Sequence, residues 1–236
     1  MKNIAMKHVM MAIAFLITIL SFCSAQDAGA LVNQVKVKIE QVKDYEASGM
    51  MKTNVPFLKV PVAAVTVYFK NPDKLKIKNE KGISLVTKGA MSMGLNNLMA
   101  NRKFTAIPAG TEKINGISVQ VIKLLPLDDN AEIVLSTLYI DVSRLLIMRA
   151  RTTTRENGTY ELDMEYGKYA NYALPDRALF TFNVKEYKLP KGITFDYDDG
   201  SEKKKNNDQV NSNKGKLEIT YENYVINKGI PDSVFK

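Results

Sequence analysis

Along residues 65–78, VTVYFKNPDKLKIK, apolar and polar side chains alternate strictly. Val65, Val67 and Phe69 fall on one side; Thr66, Tyr68 and Lys70 fall on the other. After Asn71-Pro72-Asp73 the alternation resumes, with Leu75 and Ile77 on one side and Lys74, Lys76 and Lys78 on the other. A period of two marks a strand with one dry and one wet face, and Asn-Pro-Asp favours a turn. The stretch therefore predicts a hairpin. Its dry side covers either an ordinary core or a space for an apolar ligand.

Elsewhere the pattern changes period. In residues 27–45, Leu31, Val35, Ile39 and Val42 recur at three- and four-residue spacing, which predicts an amphipathic helix. Alternating segments then follow at 45–53, 83–88, 103–107, 117–125, 132–141 and 145–155. Glu156-Asn157-Gly158 predicts a hairpin turn, answered by a strand at 159–169. Two more strands are expected within 174–184 and 188–198, and a last one in LEITYENYVINKGIPDSVF. Residues 199–216 hold hardly an apolar side chain and read as a polar loop. Residues 89–101, GAMSMGLNNLMAN, break the strand pattern and predict a short helix or a flap. Their Met91, Met93, Leu98 and Met99 suit a surface that adapts to varied apolar ligands, or a gap-filled core. No fixed-period repeat and no linker divides the chain, so one domain over 26–236 is expected. One helix and nine or more sequential strands predict an α+β fold, a single strongly curved antiparallel sheet that either closes on itself or takes helices across its concave side.

The N-terminus changes the chemistry. Lys2 and Lys7 precede the apolar run VMMAIAFLITILSF, which is short for a bilayer span, and small residues stand at Cys23 and Ala25. Residues 1–25 read as an export signal cut after Ala25, which places the mature chain in the periplasm. The competing outcome is acylation of Cys23, disfavoured by the bulky Phe22 before it. The only His is His8 and the only Cys is Cys23. After cleavage the chain has neither, which excludes a Ser-His or Cys-His nucleophile, a His/Cys zinc site and an internal disulfide. The charge of +8 comes from 33 basic and 25 acidic residues; losing Lys2 and Lys7 leaves 31 basic, a net of +6. An exported basic chain reads as a Lys-rich solvated surface rather than a nucleic-acid binder.

Other candidate chemistry is sparse. DYDDGSE at 196–202 lacks the glycine position of a calcium loop and reads as a hairpin tip. Ser201 and Lys204 match S-x-x-K, but in a polar loop rather than at a helix start. No phosphate-cradling glycine loop is present. Asp141, Asp163 and Glu165 could pair as carboxylates, with salt bridges as their expected fate.

Three segments together resemble a known family: V-x-F-x-x-P-D-K-L-K at 67–76, IDVSRLLIMR at 140–149, and Y-x-x-Y-x-x-N-x-x-I-P-D-x-x-F at 221–235. The chain resembles the LolA/LolB-like outer-membrane lipoprotein carriers over nearly all of residues 26–235. The resemblance implies an unclosed half-barrel with an N-terminal helix and short lid helices. It also implies an apolar cavity for acyl chains of lipoproteins or other lipids, passed from an inner-membrane donor to an outer-membrane acceptor. Binding and transfer, with no cofactor and no enzyme activity, and a monomer, are what it leads one to expect. The residues then assigned to the cavity are Val65, Val67, Phe69, Leu75, Ile77, Met91, Met93, Leu98, Met99, Val119, Val121, Leu138 and Ile140. An arginine beneath the lid is expected at 144, 149 or 151. The absence of Trp departs from the family. Two alternatives stand beside the carrier: an envelope interaction protein with a filled cavity, and a membrane-tethered acceptor if Cys23 is acylated.

Overall fold

The computed structural model describes residues 27–55, 61–72, 74–79, 84–86, 103–156, 158–183 and 214–235. Residues 1–25, expected to be an export signal, the Met-rich stretch with Met91, Met93, Leu98 and Met99, the strand expected in 188–198 and the Ser201/Lys204 pair lie outside these residues.

One α-helix, α1 (Ala28–Ile39), precedes eleven strands. They are β1 (Asp44–Asn54), β2 (Ala63–Lys70), β3 (Lys74–Asn79), β4 (Ser84–Val86), β5 (Phe104–Ile114) and β6 (Ile117–Pro126). After these come β7 (Ile133–Asp141), β8 (Leu146–Thr154), β9 (Gly158–Glu165), β10 (Arg177–Asn183) and β11 (Lys214–Ile226). All belong to one sheet in the order β4-β3-β2-β1-β11-β10-β9-β8-β7-β6-β5. Each paired neighbour is antiparallel, and the end strands β4 and β5 do not meet, so the half-barrel is unclosed. The one long-range closure is β1 with β11, which joins the two ends of the chain at the sheet's middle. β11 begins at Lys214, three residues inside the segment expected to be loop. Pairing of Lys214 with Asn183 and Lys216 with Thr181 extends it, a tertiary gain that local polarity does not announce.

The two faces of the sheet differ in chemistry. Pairing runs Ile122, Leu138, Ala150, Leu162, Phe180 and Leu217 along one row, the inner face. The alternate row runs Val121, Tyr139, Arg149, Asp163, Leu179 and Glu218, the outer face. Outer-face charges are paired across strands. Arg149 Nε donates to Asp163 at 2.5 Å and stacks 5.8 Å over the Tyr139 ring. Arg177 bridges Glu165 at 2.6 Å and Glu218 at 2.8 Å. Asp163 and Glu165 thus end in salt bridges, as the sequence suggests.

α1 starts at Asp27, whose carboxylate accepts from the Gly29 amide at 3.0 Å. Its Leu31, Val32 and Val35 are wholly inaccessible and pack with Val119, Ile122, Leu138, Ile140, Leu146 and Ala150. The helix stops at Ile39, short of the expected Val42, because a residue far along the chain takes over the backbone there. Asn227 donates from Nδ2 to the Gln41 carbonyl at 3.0 Å, and its Oδ1 accepts from the Lys43 amide at 2.7 Å. Val42 is buried in a different cluster, with Ala47, Val65 and Tyr224. Asn227 itself has φ 56, a conformation its short polar side chain tolerates. Asn227→Ala is expected to cost about 1–2 kcal/mol, read as a lower urea midpoint. A loss below about 0.3 kcal/mol would show that this clamp contributes nothing.

The C-terminal turn 232–235 docks on the β2–β3 hairpin. Asp232 accepts from Lys70 at 2.7 Å and pairs with Lys74 at 2.8 Å. Their hydrogen bonds and charges hold its carboxyl down at about 2. Asp44 accepts from the Lys228 and Gly229 amides at 3.0 Å each and fixes the approach to that turn.

Candidate functional site

α1 covers only part of the inner face. None of its residues belongs to the cluster of Val42, Ala47, Met51, Val65, Val67, Ile77, Leu174, Ile219 and Tyr224, nor to that of Tyr160, Phe180 and Phe182. These two clusters line the inner face over β1–β3 and β9–β11, and they form the candidate site.

The hairpin of residues 65–78 builds one wall. Val65, Val67 and Phe69 are 3, 0 and 6 % exposed, Ile77 is buried, and Leu75 is half-buried beside it. Cross-strand pairing of Val67 with Ile77 and Phe69 with Leu75 puts all five on the inner face. β10 and β11 build the opposite wall. The Phe180 and Phe182 rings stack at 5.3 Å, and Tyr160 meets Phe180 at 5.3 Å. Phe182 lies flat against Gly215, its pairing partner, where any side chain would run into the ring.

The segment 166–176 roofs the middle of the site. It carries a short 3-10 turn, Ala170–Tyr172, and contributes Ala173 to the cluster under α1 and Leu174 to the hairpin cluster. Its ends are tied to the sheet: the Asp176 amide donates to Glu165 O at 2.8 Å, and the Tyr221 amide donates to Asp176 O at 2.7 Å. Tyr166 Oη donates to Ile147 O at 2.9 Å, and Tyr224 Oη donates to Pro175 O at 2.7 Å. At Gly167 the chain passes close to the Asp176 carboxylate, which would have to shift to admit a Cβ there.

The residues assigned to a cavity from the sequence therefore divide. Val65, Val67, Phe69, Leu75 and Ile77 meet at the candidate site. Val119, Leu138 and Ile140, at most 1 % exposed, belong to the cluster packed with α1. Val121 pairs with Tyr139 on the outer row, away from Ile122 and Leu138. The sequence could not resolve that split, because β6 is apolar on both rows: Val119, Val121, Ile122 and Leu124 are all buried. Of the arginines expected beneath a lid, Arg149 and Arg151 stand on the outer row; Arg144 sits in the β7–β8 turn, bonded to Asp141 at 2.6 Å and reaching Met148 Sδ of the α1 cluster at 3.7 Å. Residues the sequence reading passed over are Tyr45, Met51, Tyr160, Tyr169, Phe180, Phe182, Tyr221 and Tyr224.

Among the described residues no group of His, Cys, Asp and Glu could hold a metal ion, and no helix is long and apolar enough to cross a membrane. The sequence matches no family model and no curated protein. Solved structures do match in shape. An outer membrane lipoprotein-sorting protein domain from Vibrio parahaemolyticus aligns with TM-score 0.56 at 11% identity, over 87% of this chain and 94% of that one. A LolA superfamily protein from Nitrosomonas europaea aligns with TM-score 0.54 at 11% identity, over 90% and 98%. The fold is LolA-like. A DUF1329 family protein from Desulfovibrio piger shares it, with TM-score 0.52 at 10% identity over 89% and 97%. The match spans almost the whole of each relative, so the unclosed sheet and its helix are the shared frame. With no Trp in the chain, Tyr and Phe supply the aromatic surface of the candidate site.

Proposed function

We propose that the protein binds the acyl chains of lipoproteins or other lipids against the inner face of its half-barrel and carries them towards the outer membrane. The observation that carries this reading is the apolar and aromatic surface over β1–β3 and β9–β11, a part of the inner face to which α1 contributes no side chain. Burial of apolar surface supplies the affinity, about 0.8 kcal/mol per methylene before the costs of association. The lipoprotein-sorting domain among the similar structures supports the same class of ligand. On this reading the chain is not an enzyme, works as a single domain and a monomer in the periplasm, and loses residues 1–25 on export. An inner-membrane donor and an outer-membrane acceptor complete the cycle.

A filled-face interaction protein is the second reading. It draws on burial in both halves of the inner face, of Val119, Leu138 and Ile140 under α1 and of Ala47, Val65 and Val67 in the hairpin cluster. Native mass spectrometry of protein purified from the envelope separates the two. The carrier retains lipid-sized adducts or takes up an acyl probe at about one per chain. Failure to retain lipid and to take up a probe leaves the second reading. The intact mass also fixes the N-terminus, at Gln26 after cleavage or at an acylated Cys23.

A further inference from the structure

Five aromatic rings gather where the two ends of the chain pair. Tyr224 sits at the centre, 5.3 Å from Tyr45, 5.0 Å from Tyr221 and 4.9 Å from Tyr169, and Phe69 stacks on Tyr45 at 5.1 Å. The hydroxyls fare differently. Tyr224 donates to Pro175 O at 2.7 Å; Tyr169 donates to Asn223 Oδ1 at 2.8 Å and accepts from the Tyr224 amide at 3.3 Å. Among the described residues the hydroxyls of Tyr45 and Tyr221 have no hydrogen-bond partner. Both side chains are half-buried at the edge of the apolar cluster, and their hydroxyl donors stay open to a ligand.

Their surroundings define the missing partner. Desolvation raises both phenols well above their ordinary pKa, and the neighbouring Tyr221 adds to the rise at Tyr45. Both are therefore neutral donors throughout the physiological range. Neither makes an ion pair or a stack with a cation. Lys168 lies 4.9 Å over the Tyr169 ring, and the Asp176 carboxylate adds to the rise at Tyr224. The Lys168 and Asp176 charges lie together here and offset one another, so an apolar spot with two open donors suits a neutral acceptor.

We propose that Tyr45 and Tyr221 form a polar subsite that donates hydrogen bonds to the neutral carbonyl oxygens of an ester- or amide-linked acyl ligand. This deepens the carrier reading and rests on it. Apolar burial would hold the chains, and the two hydroxyls would fix where the linkage sits and discriminate against free fatty acid.

The test is a binding titration of the full mature protein with a diacylglycerol and with its dialkyl ether analogue, which has the same chains but no carbonyls. The wild-type protein is expected to bind the ester about tenfold more tightly, a difference two neutral hydrogen bonds can supply. The Tyr45→Phe/Tyr221→Phe double variant should lose that preference while keeping its affinity for the ether. Equal wild-type binding of both probes, or a preference that survives in the double variant, overturns the subsite and leaves the carrier reading standing. Binding of neither probe overturns both. Thermal melting of the ligand-free variants supplies a second check. Removing an unpaired hydroxyl should leave Tm unchanged or raise it; a fall would mean that the hydroxyls already have protein partners, which also sinks the proposal.

Discussion

Val35→Asp is expected to cost about 3–5 kcal/mol of a stability that for domains is typically about 5–15. Val35 is wholly buried between α1 and the sheet, in the cluster that holds Leu138, Ile140 and Leu146. The substitution loses the apolar burial of the side chain, about 1.5–2 kcal/mol, and sets a carboxylate among aliphatic groups with no partner. The two cations of the helix are engaged elsewhere: Lys36 pairs with Glu40 at 3.8 Å, and Lys38, three residues on from Val35, donates to the Arg144 carbonyl at 2.6 Å. Val35→Ala provides the comparison and should cost about 1–2.5 kcal/mol through the transfer and cavity terms alone. Urea denaturation followed by circular dichroism reads both. A Val35→Asp protein within about 1 kcal/mol of wild type would mean that α1 is not docked on the sheet in solution.

Asp141→Ala is the second large effect, expected at about 2–4 kcal/mol. The Asp141 side chain is only 4% exposed and organises the β7–β8 turn. It accepts from the Ser143 amide at 3.0 Å and hydroxyl at 2.6 Å, and from Arg144 at the amide, 3.3 Å, and Nε, 2.6 Å. The same turn receives α1: Lys38 Nζ donates to the Arg144 carbonyl at 2.6 Å. Arg144 is 38% exposed, so its charge is partly screened by water, and the estimate is kept below that for a fully buried pair. Burial alone would raise the Asp141 pKa; the Ser143 and Arg144 hydrogen bonds and the Arg144 charge outweigh it and hold the carboxyl below its ordinary value. A depressed folded pKa means the stabilisation is complete above the unfolded value near 3.8 and is lost as pH falls through the folded one. The penalty of Asp141→Ala should thus shrink on acidification below about pH 4. A penalty that stays constant from pH 7 to pH 2 would contradict an ionised Asp141 in the folded state.

Much of this architecture is legible because its causes are local. The hairpin of residues 65–78 needs only alternation and a turn, and β2 and β3 pair as that alternation demands. Leu31, Val35 and Ile39 mark one helical stripe, and all three are buried. The end of that helix is not local, since Asn227 captures the Gln41 carbonyl and the Lys43 amide. The tyrosine subsite is further out of reach. Tyr221 and Tyr224 are three apart, and in a regular strand they would point to opposite faces. The irregularity at Ser48/Gly49 accommodates Glu222 as an extra residue in β11, and both rings come to the inner face.

The sequence by itself determined that the chain alternates into many one-sided strands behind one amphipathic helix, and that its one His and one Cys both lie within residues 1–25. Those properties depend on residue identity and on periods of two and 3.6, which a linear string carries. Only the tertiary structure decided which apolar residues pack with α1 and which gather in the candidate site. Alternation says that a strand has a dry side, but not what lies over it. That is set by where α1 and the segment 166–176 dock, and by the β1–β11 pairing, which brings Tyr45 beside Tyr224 across nearly the whole length of the chain.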